Sequence, residues 1–276
     1  MRLLERLGVR TAGGAASVTL HNYVSDRSVA LLLRPTPRGL RVGSGTVVRI
    51  GSNYLIVTAG HNLNGLALNQ IEVLPRGSNL EPPLPIVSGQ FRISPDVGWL
   101  EVDSTALQSS SIKAVDLSQL GPLNDEGLSQ VVVLVQGYPC ERVTPLASDS
   151  DRSHVESDGL LTLVIPPLAR SSIVPDVDFS VEYPPWDGSI DHLPLSAPPG
   201  ASGGGVWRVP VFRDSCLWDP EQSRLLALVE SWQSKSKELF CVHIEQWLSA
   251  VRQDRPEFAA EIDASINGWV NAPYTT

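Results

Sequence analysis

Residues 43–61 read Gly-Ser-Gly-Thr-Val-Val-Arg-Ile-Gly-Ser-Asn-Tyr-Leu-Ile-Val-Thr-Ala-Gly-His, or GSGTVVRIGSNYLIVTAGH. Two short apolar runs, Gly45–Ile50 and Tyr54–Thr58, flank Gly51, Ser52 and Asn53. Val, Ile and Thr fit a pleated surface, whereas Gly and Asn punctuate strands, so both runs read as strands. The second runs straight into Ala59, Gly60 and His61. The same signature recurs at Val29–Leu33, Ile71–Leu74, Val97–Val102, Val131–Gln136, Leu160–Ile165, Val177–Val181, Gly204–Val209, Leu225–Val229 and Glu238–His243. Many short strands with little intervening helix predict an all-β barrel or sandwich. Helical signals sit at the ends. Arg2–Leu7 reads as a turn or two, Ile244–Arg252 has Ile244, Trp247, Leu248 and Val251 at helical spacing, and Pro256–Ile266 opens on a proline.

Composition narrows the class. A chain of 276 residues, 42% hydrophobic and 18% charged, is long enough for a core and too apolar for global disorder. A net charge of −9 argues against a general nucleic-acid binder. Three cysteines, Cys140, Cys216 and Cys241, are a poor disulfide framework and lack CxxC spacing for zinc. There is no GxxxxGK[ST] or GxGxxG phosphate loop. The first residues carry Glu5 and Arg6 within their apolar stretch, and no run approaches the roughly 18 apolar residues that span a bilayer. The expectation is a cytoplasmic chain with reduced thiols, needing no cofactor or metal and binding neither membrane nor nucleic acid.

One loop stands apart. Residues 199–207 read Pro-Gly-Ala-Ser-Gly-Gly-Gly-Val-Trp, a serine set among glycines before an apolar run. Glycine is unfavourable in regular structure, so such a cluster marks either a flexible linker or a backbone bent to approach something closely. A serine hydroxyl becomes a nucleophile only beside a base that is itself oriented. Of five histidines, His61 has the best context, at the end of a buried strand behind small residues. His21, His154 and His192 sit in polar surroundings that suggest the surface, and His243 lies in an apolar strand as a core histidine. Among the carboxylates, Asp96 opens the apolar strand DVGWLEV, where the alternative is a turn aspartate after Pro95.

Together TAGH, DVGWLEV and GASGGGV resemble the three signature blocks of trypsin-like serine peptidases, in the family's order of His, Asp and Ser. The stretch GSGTVVRIGSNYLIVTAGH resembles the family's strand pair leading to the histidine, and the compact spacing is similar to that of bacterial members. The resemblance covers roughly residues 29–251. It implies a chymotrypsin-like fold: two six-stranded antiparallel β-barrels with a cleft between them, here with C-terminal helices. The expected bounds are 1–26 for an N-terminal extension, 27–120 and 121–243 for the barrels, and 244–276 for the helices and tail. It implies Ser202 as nucleophile, His61 as base, Asp96 as orienting carboxylate, and the amides of Gly200 and Ser202 as the oxyanion hole.

The chain also departs from the family. Ala201 stands where members activated by cleavage carry an aspartate, so that switch is not expected here. Ser196 lies six residues before the nucleophile, where trypsin-type members have an acid. Residues 229–233, VESWQ, resemble the wall segment that pairs with an extended substrate, making Ser231, Trp232 and Gln233 substrate-binding candidates. Gln233 is expected to narrow the entrance. Glu230 either reaches inward to bind a basic side chain or turns outward to solvent, and Glu238 is a weaker candidate of the same kind. Trp186, Trp207, Trp218 and Trp232 read as core or groove wall. The implied partner is a protein or peptide substrate. A regulatory protein partner is expected if Pro139–Pro198 controls access. The alternatives are a silent binding module on a peptidase fold and a partner-activated effector.

Overall fold

The structure is a computed structural model, and it describes residues 13–36, 39–76, 81–122, 132–140, 143–145, 153–165, 178–183, 199–209 and 219–271. An N-terminal helix α1 (Gly13–Ser25) leads into β1 (Ser28–Thr36), β2 (Gly39–Ile50), β3 (Asn53–Thr58), a short helix α2 (Gly60–Leu63), β4 (Ile71–Pro75), β5 (Ile86–Ile93) and β6 (Asp96–Val102). These strands form one antiparallel sheet in the order β4-β1-β2-β3-β6-β5. A bridge between Val73 and Leu84 draws its two ends together, so the sheet curls into a barrel. After helix α3 (Ser104–Gln108), a two-residue strand β7 (Val115–Asp116) pairs in parallel with β2.

The second half opens with β8 (Val132–Gly137) and a small ribbon of β9 (Val143–Pro145) and β10 (Ser153–Val155). It continues with β11 (Asp158–Ile165), β12 (Asp178–Glu182), β13 (Gly205–Arg208), β14 (Arg224–Gln233) and β15 (Glu238–His243). Here β11-β12-β15-β14-β13-β8 close into a six-stranded barrel. The chain ends in α4 (Ile244–Asp254) and α5 (Ala259–Asn271), with a 3₁₀ turn at Pro256–Phe258 between them. The all-β double barrel with C-terminal helices is therefore present. Its barrels are closed differently, one by a full ladder and one by a single bridge.

Strand alternation sorts the core. In β6, Leu100 and Val102 face the interior of the first barrel, while Val97 and Trp99 face out. In β14, Leu226, Ala227 and Val229 fill the second barrel while Leu225 and Leu228 face out, an exception to alternation where a register shift against β13 leaves Leu226 unpaired. Those outward residues meet Leu134, Trp207, Trp247 and Leu248 in a shared cluster. The barrels are thus joined by a third hydrophobic core, completed by α4 returning across the first barrel. Arg92 and Trp99 of the first barrel donate to Asp254 at 2.8 and 3.2 Å, at the end of α4.

Apart from the short pieces α2, α3, β7, β9 and β10, two longer elements escaped the sequence reading. The N-terminal extension holds helix α1, whose Leu20, Tyr23 and Val24 enter the shared core. Its GGAASVTL start is weak in helix propensity, so packing rather than local preference sustains the helix. Gln136 of β8 donates to Ser25 at 3.2 Å, tying α1 to the second barrel. Its His21, expected at the surface, is partly buried on α1 with Nε2 3.4 Å from Ser25 Oγ. The edge strand β5 was also missed. It mixes Ser88, Gly89, Gln90 and Arg92 with apolar residues and is half-exposed throughout, so it carries no clean pattern. Arg2–Leu7 lies outside the described residues. Ile244–Arg252 extends to Asp254, and the helix beginning at Pro256 continues to Asn271.

Candidate active site

The histidine is carried by α2, one residue beyond the end of β3, and the aspartate is the first residue of β6, which pairs with β3. Adjacent strands therefore bring residues 35 apart into contact. The His61 amide donates to Asp96 Oδ1 at 2.7 Å, and His61 Nδ1 lies 2.6 Å from Asp96 Oδ2. Asp96 is only 8% exposed on its side chain, whereas that of His61 is 43% exposed. The buried carboxylate uses both oxygens on one residue. It fixes the ring and favours a proton on Nδ1, leaving Nε2 free to accept. The hydrogen bond from Asp96 raises the His61 pKa above its ordinary value, although burial opposes it.

The serine approaches from the second barrel, in the turn before β13. Two glycines shape that turn. Gly200 has φ +99°, and a Cβ there would lie 2.5 Å from the Tyr138 carbonyl oxygen. Gly203 has φ +83°, and a Cβ would collide with Ser44 O and Thr58 Oγ1. Both positions combine the left-handed region with close backbone approach, which leaves glycine as the only fit. The Gly203 amide donates to Val229 O at 2.7 Å and the Val229 amide to Gly204 O at 2.8 Å, pinning the turn to β14. Ser202 Oγ donates to Glu230 O at 3.1 Å.

A cleft of about 440 Å³ is lined by His61, Pro199, Ser202, Val229, Glu230, Ser231, Trp232 and Leu239. The residues expected at the site are thus largely brought together, with exceptions. Ser196 lies outside the described residues. Gln233 is exposed and does not line the cleft, because β14 has already carried the chain to the hairpin end, where it pairs with Glu238. Glu238 is buried at 4% exposure and also lies outside the lining. His243, at the end of β15, packs against Phe179 with ring centroids 5.0 Å apart.

Glu230 falls in a register shift between Val229 and Ser231, so it has no cross-strand partner in β15 and is released from simple alternation. It is neither fully turned out nor buried. Burial pushes its pKa up from 4.5 to about 7; Asp178 and Asp96 push the same way, while His61 opposes them. Beyond β13's last pairing to β14, at Leu228, the strand from Ser231 to Gln233 is laddered to β15 on one side. Among the described residues no strand pairs with its other edge, which an added strand could take.

Sequence reasoning missed three residues around this turn: Ser44, Thr58 and Asn62. Thr58 Oγ1 donates to Ser44 O at 2.7 Å, and Asn62 Nδ2 donates to Thr58 Oγ1 at 3.0 Å and Ser202 O at 2.9 Å. The signal available was polar residues set within buried stretches of strand and helix, since all three are at most 5% exposed. Among the described residues, no group of three or more His, Cys, Asp or Glu is placed to hold a metal ion. Cys140 and Cys241 are free thiols. No helix among the described residues is long and apolar enough to cross a membrane.

No protein-family model and no curated protein sequence matches the chain. Among solved structures it is similar to the Rv3671c protease from M. tuberculosis in its active form. The identity is 12%, covering 88% of each chain, with a TM-score of 0.49. It is also similar to the serine endoprotease from Yersinia pestis, at 15% identity over 89% of this chain and 67% of that one, again at 0.49. The first of these neighbours is a protease and the second a serine endoprotease. The chain itself shows an all-β architecture of a seven-stranded sheet followed by a closed six-stranded barrel.

Proposed function

We propose that the protein is a serine endopeptidase working through an acyl-enzyme on Ser202. The observation that carries this reading is the double hydrogen bond between Asp96 and His61 on the cleft that also holds Ser202. In the reaction, Ser202 Oγ rotates from the Glu230 carbonyl to His61 Nε2, gives up its proton and attacks the scissile carbonyl carbon. The amides of Gly200 and Ser202 receive the developing oxyanion. His61 passes the proton to the leaving amine, and the C–N bond breaks. Water, deprotonated by His61, then attacks the ester and restores the serine. The edge from Ser231 to Gln233, unpaired among the described residues, supports substrate bound as an added strand. No cofactor enters any step.

A second reading has one observation in its favour. The Ser202 hydroxyl is engaged with Glu230 O, the arrangement of a site that a partner or substrate must release. Both readings are tested by fluorophosphonate labelling of the purified chain beside Ser202→Ala. Labelling lost in the variant supports the endopeptidase. A folded wild-type chain that stays unlabelled alone, and labels only with a partner, supports the effector. One that never labels removes catalysis from consideration.

A further inference from the structure

Each of the four carbonyls from Pro199 to Ser202 accepts a hydrogen bond. Cys140 N donates to Pro199 O at 2.8 Å, and Gly204 N donates to Ala201 O at 2.8 Å. Ser44 Oγ donates to Gly200 O at 2.8 Å. Ser44 N, at 2.8 Å, and Asn62 Nδ2, at 2.9 Å, donate to Ser202 O. In a trans peptide the carbonyl and the amide of one plane point opposite ways. Holding Pro199 O and Ala201 O therefore turns the amides of Gly200 and Ser202 away from those donors. Neither amide has a partner among the described residues.

Two of these four carbonyls, Gly200 O and Ser202 O, are held from the other barrel, by three of the five hydrogen bonds. Ser44 belongs to β2 and is 1% exposed. Its hydroxyl accepts from Tyr138 N at 2.8 Å while donating to Gly200 O, so one oxygen joins the end of β8 to the nucleophile turn. Asn62 immediately follows His61, which links the base's helix to the nucleophile's own carbonyl. The Gly200–Ala201 plane lies between the planes that carry the Gly200 and Ser202 amides, so its rotation displaces both, and after the positive-φ Gly200 little in the local backbone resists it. Without the Ser44 hydroxyl, Gly200 O loses its donor and Tyr138 N its acceptor. A group left without its partner is driven to reorient toward another.

We infer that Ser44, assisted by Asn62, is the positioning residue of the oxyanion hole: a first-barrel clasp that fixes the second-barrel turn from Pro199 to Ser202. The term oxyanion hole rests on the endopeptidase reading, whereas the clasp itself does not. The test therefore has two readouts, on Ser44→Ala and Asn62→Ala. The first is the rate constant for fluorophosphonate reaction at Ser202, per folded site and across pH. The second is the direction of the Gly200 carbonyl in crystal structures of wild type and variants. Ser44→Ala is expected to slow the reaction about 10- to 100-fold, short of the 100- to 1,000-fold typical of losing a donor outright. The pH midpoint set by His61 stays in place, and the Gly200 carbonyl is rotated. Asn62→Ala, which leaves Ser44 N on Ser202 O, is expected to slow it less, about 3- to 10-fold, and remains decisive if Ser44→Ala does not fold. A rate within threefold of wild type, or a Gly200 carbonyl that has not moved in Ser44→Ala, overturns the inference. If wild type itself is unreactive, the endopeptidase reading fails and the carbonyl direction alone decides the clasp.

Discussion

The two halves of the site are built by different means. On the first barrel, His61 and Asp96 stand at the ends of paired strands, and side chain meets side chain directly at 2.6 Å. On the second, Ser202 sits in a glycine turn held through its backbone carbonyls, partly by donors from the first barrel. The first half is set by ladder register and tolerates little motion. The second is set by a few hydrogen bonds on a backbone with intrinsic freedom. Damage to the first half should alter chemistry and spare the fold. Damage to the second should alter both.

The largest effect is expected on the first half. Asp96→Asn keeps the shape but favours the wrong imidazole tautomer, so kcat should fall about 10⁴-fold with little change in melting temperature. A melting temperature lowered in parallel would break the contrast, because it would make Asp96 a structural residue first. On the second half, Gly203→Ala places a Cβ against Ser44 O and Thr58 Oγ1 at a positive φ. Fluorophosphonate labelling should fall at least about 100-fold, and unfolding in urea should show a loss of at least about 2 kcal/mol. Full stability with lost activity would mean that the turn can relax locally.

The same contrast explains what the sequence made legible. His61, Asp96 and Ser202 announce themselves because each sits in a short stretch with a local signature: small residues before a histidine, a charge opening an apolar strand, a serine among glycines. Ser44 and Asn62 do not, because their roles exist only across separations of 156 and 140 residues. The strands of both barrels carry clear alternation or apolar runs, except β5, which is half-exposed on both faces. Helix α1 has no propensity signal, since its stability comes from contacts with both barrels. The register shift at Glu230, a bulge that no periodicity argument registers, is likewise absent from the sequence pattern.

A smaller effect is expected on the titration of His61. Its pKa is raised by Asp96, so the ion pair contributes stability that is full below the ordinary imidazole value of about 6.5 and is lost as pH rises through the folded value. Catalysis requires the neutral ring, so kcat/KM should climb along a limb whose midpoint lies above about 6.5. In Asp96→Asn the midpoint should move down. Proton NMR of the imidazole checks this in Ser202→Ala, where activity plays no part. An unmoved midpoint would separate the geometry of the pair from its electrostatics.

The smallest effect concerns Glu230, where the halves meet. Its carboxyl is held on the cleft by a bulge in the second barrel, yet it feels Asp96 and His61 of the first. A carboxyl with a raised folded pKa favours the native state fully below its unfolded value, here 4.5, and that contribution is lost as pH rises through about 7. Glu230→Gln removes the ionisation. The stability of the variant relative to wild type should therefore grow between pH 4.5 and 7 and level off above. The side chain is only partly buried, so solvent screening reduces the gain to about 1 kcal/mol, or about 2–4 °C in melting temperature. Melting curves at pH 5 and pH 8 measure it. A difference independent of pH would mean that Glu230 is already neutralised by its neighbours. A difference of opposite sign would mean that its charged form is held by a cation in the native state, and would make this carboxyl a binding group.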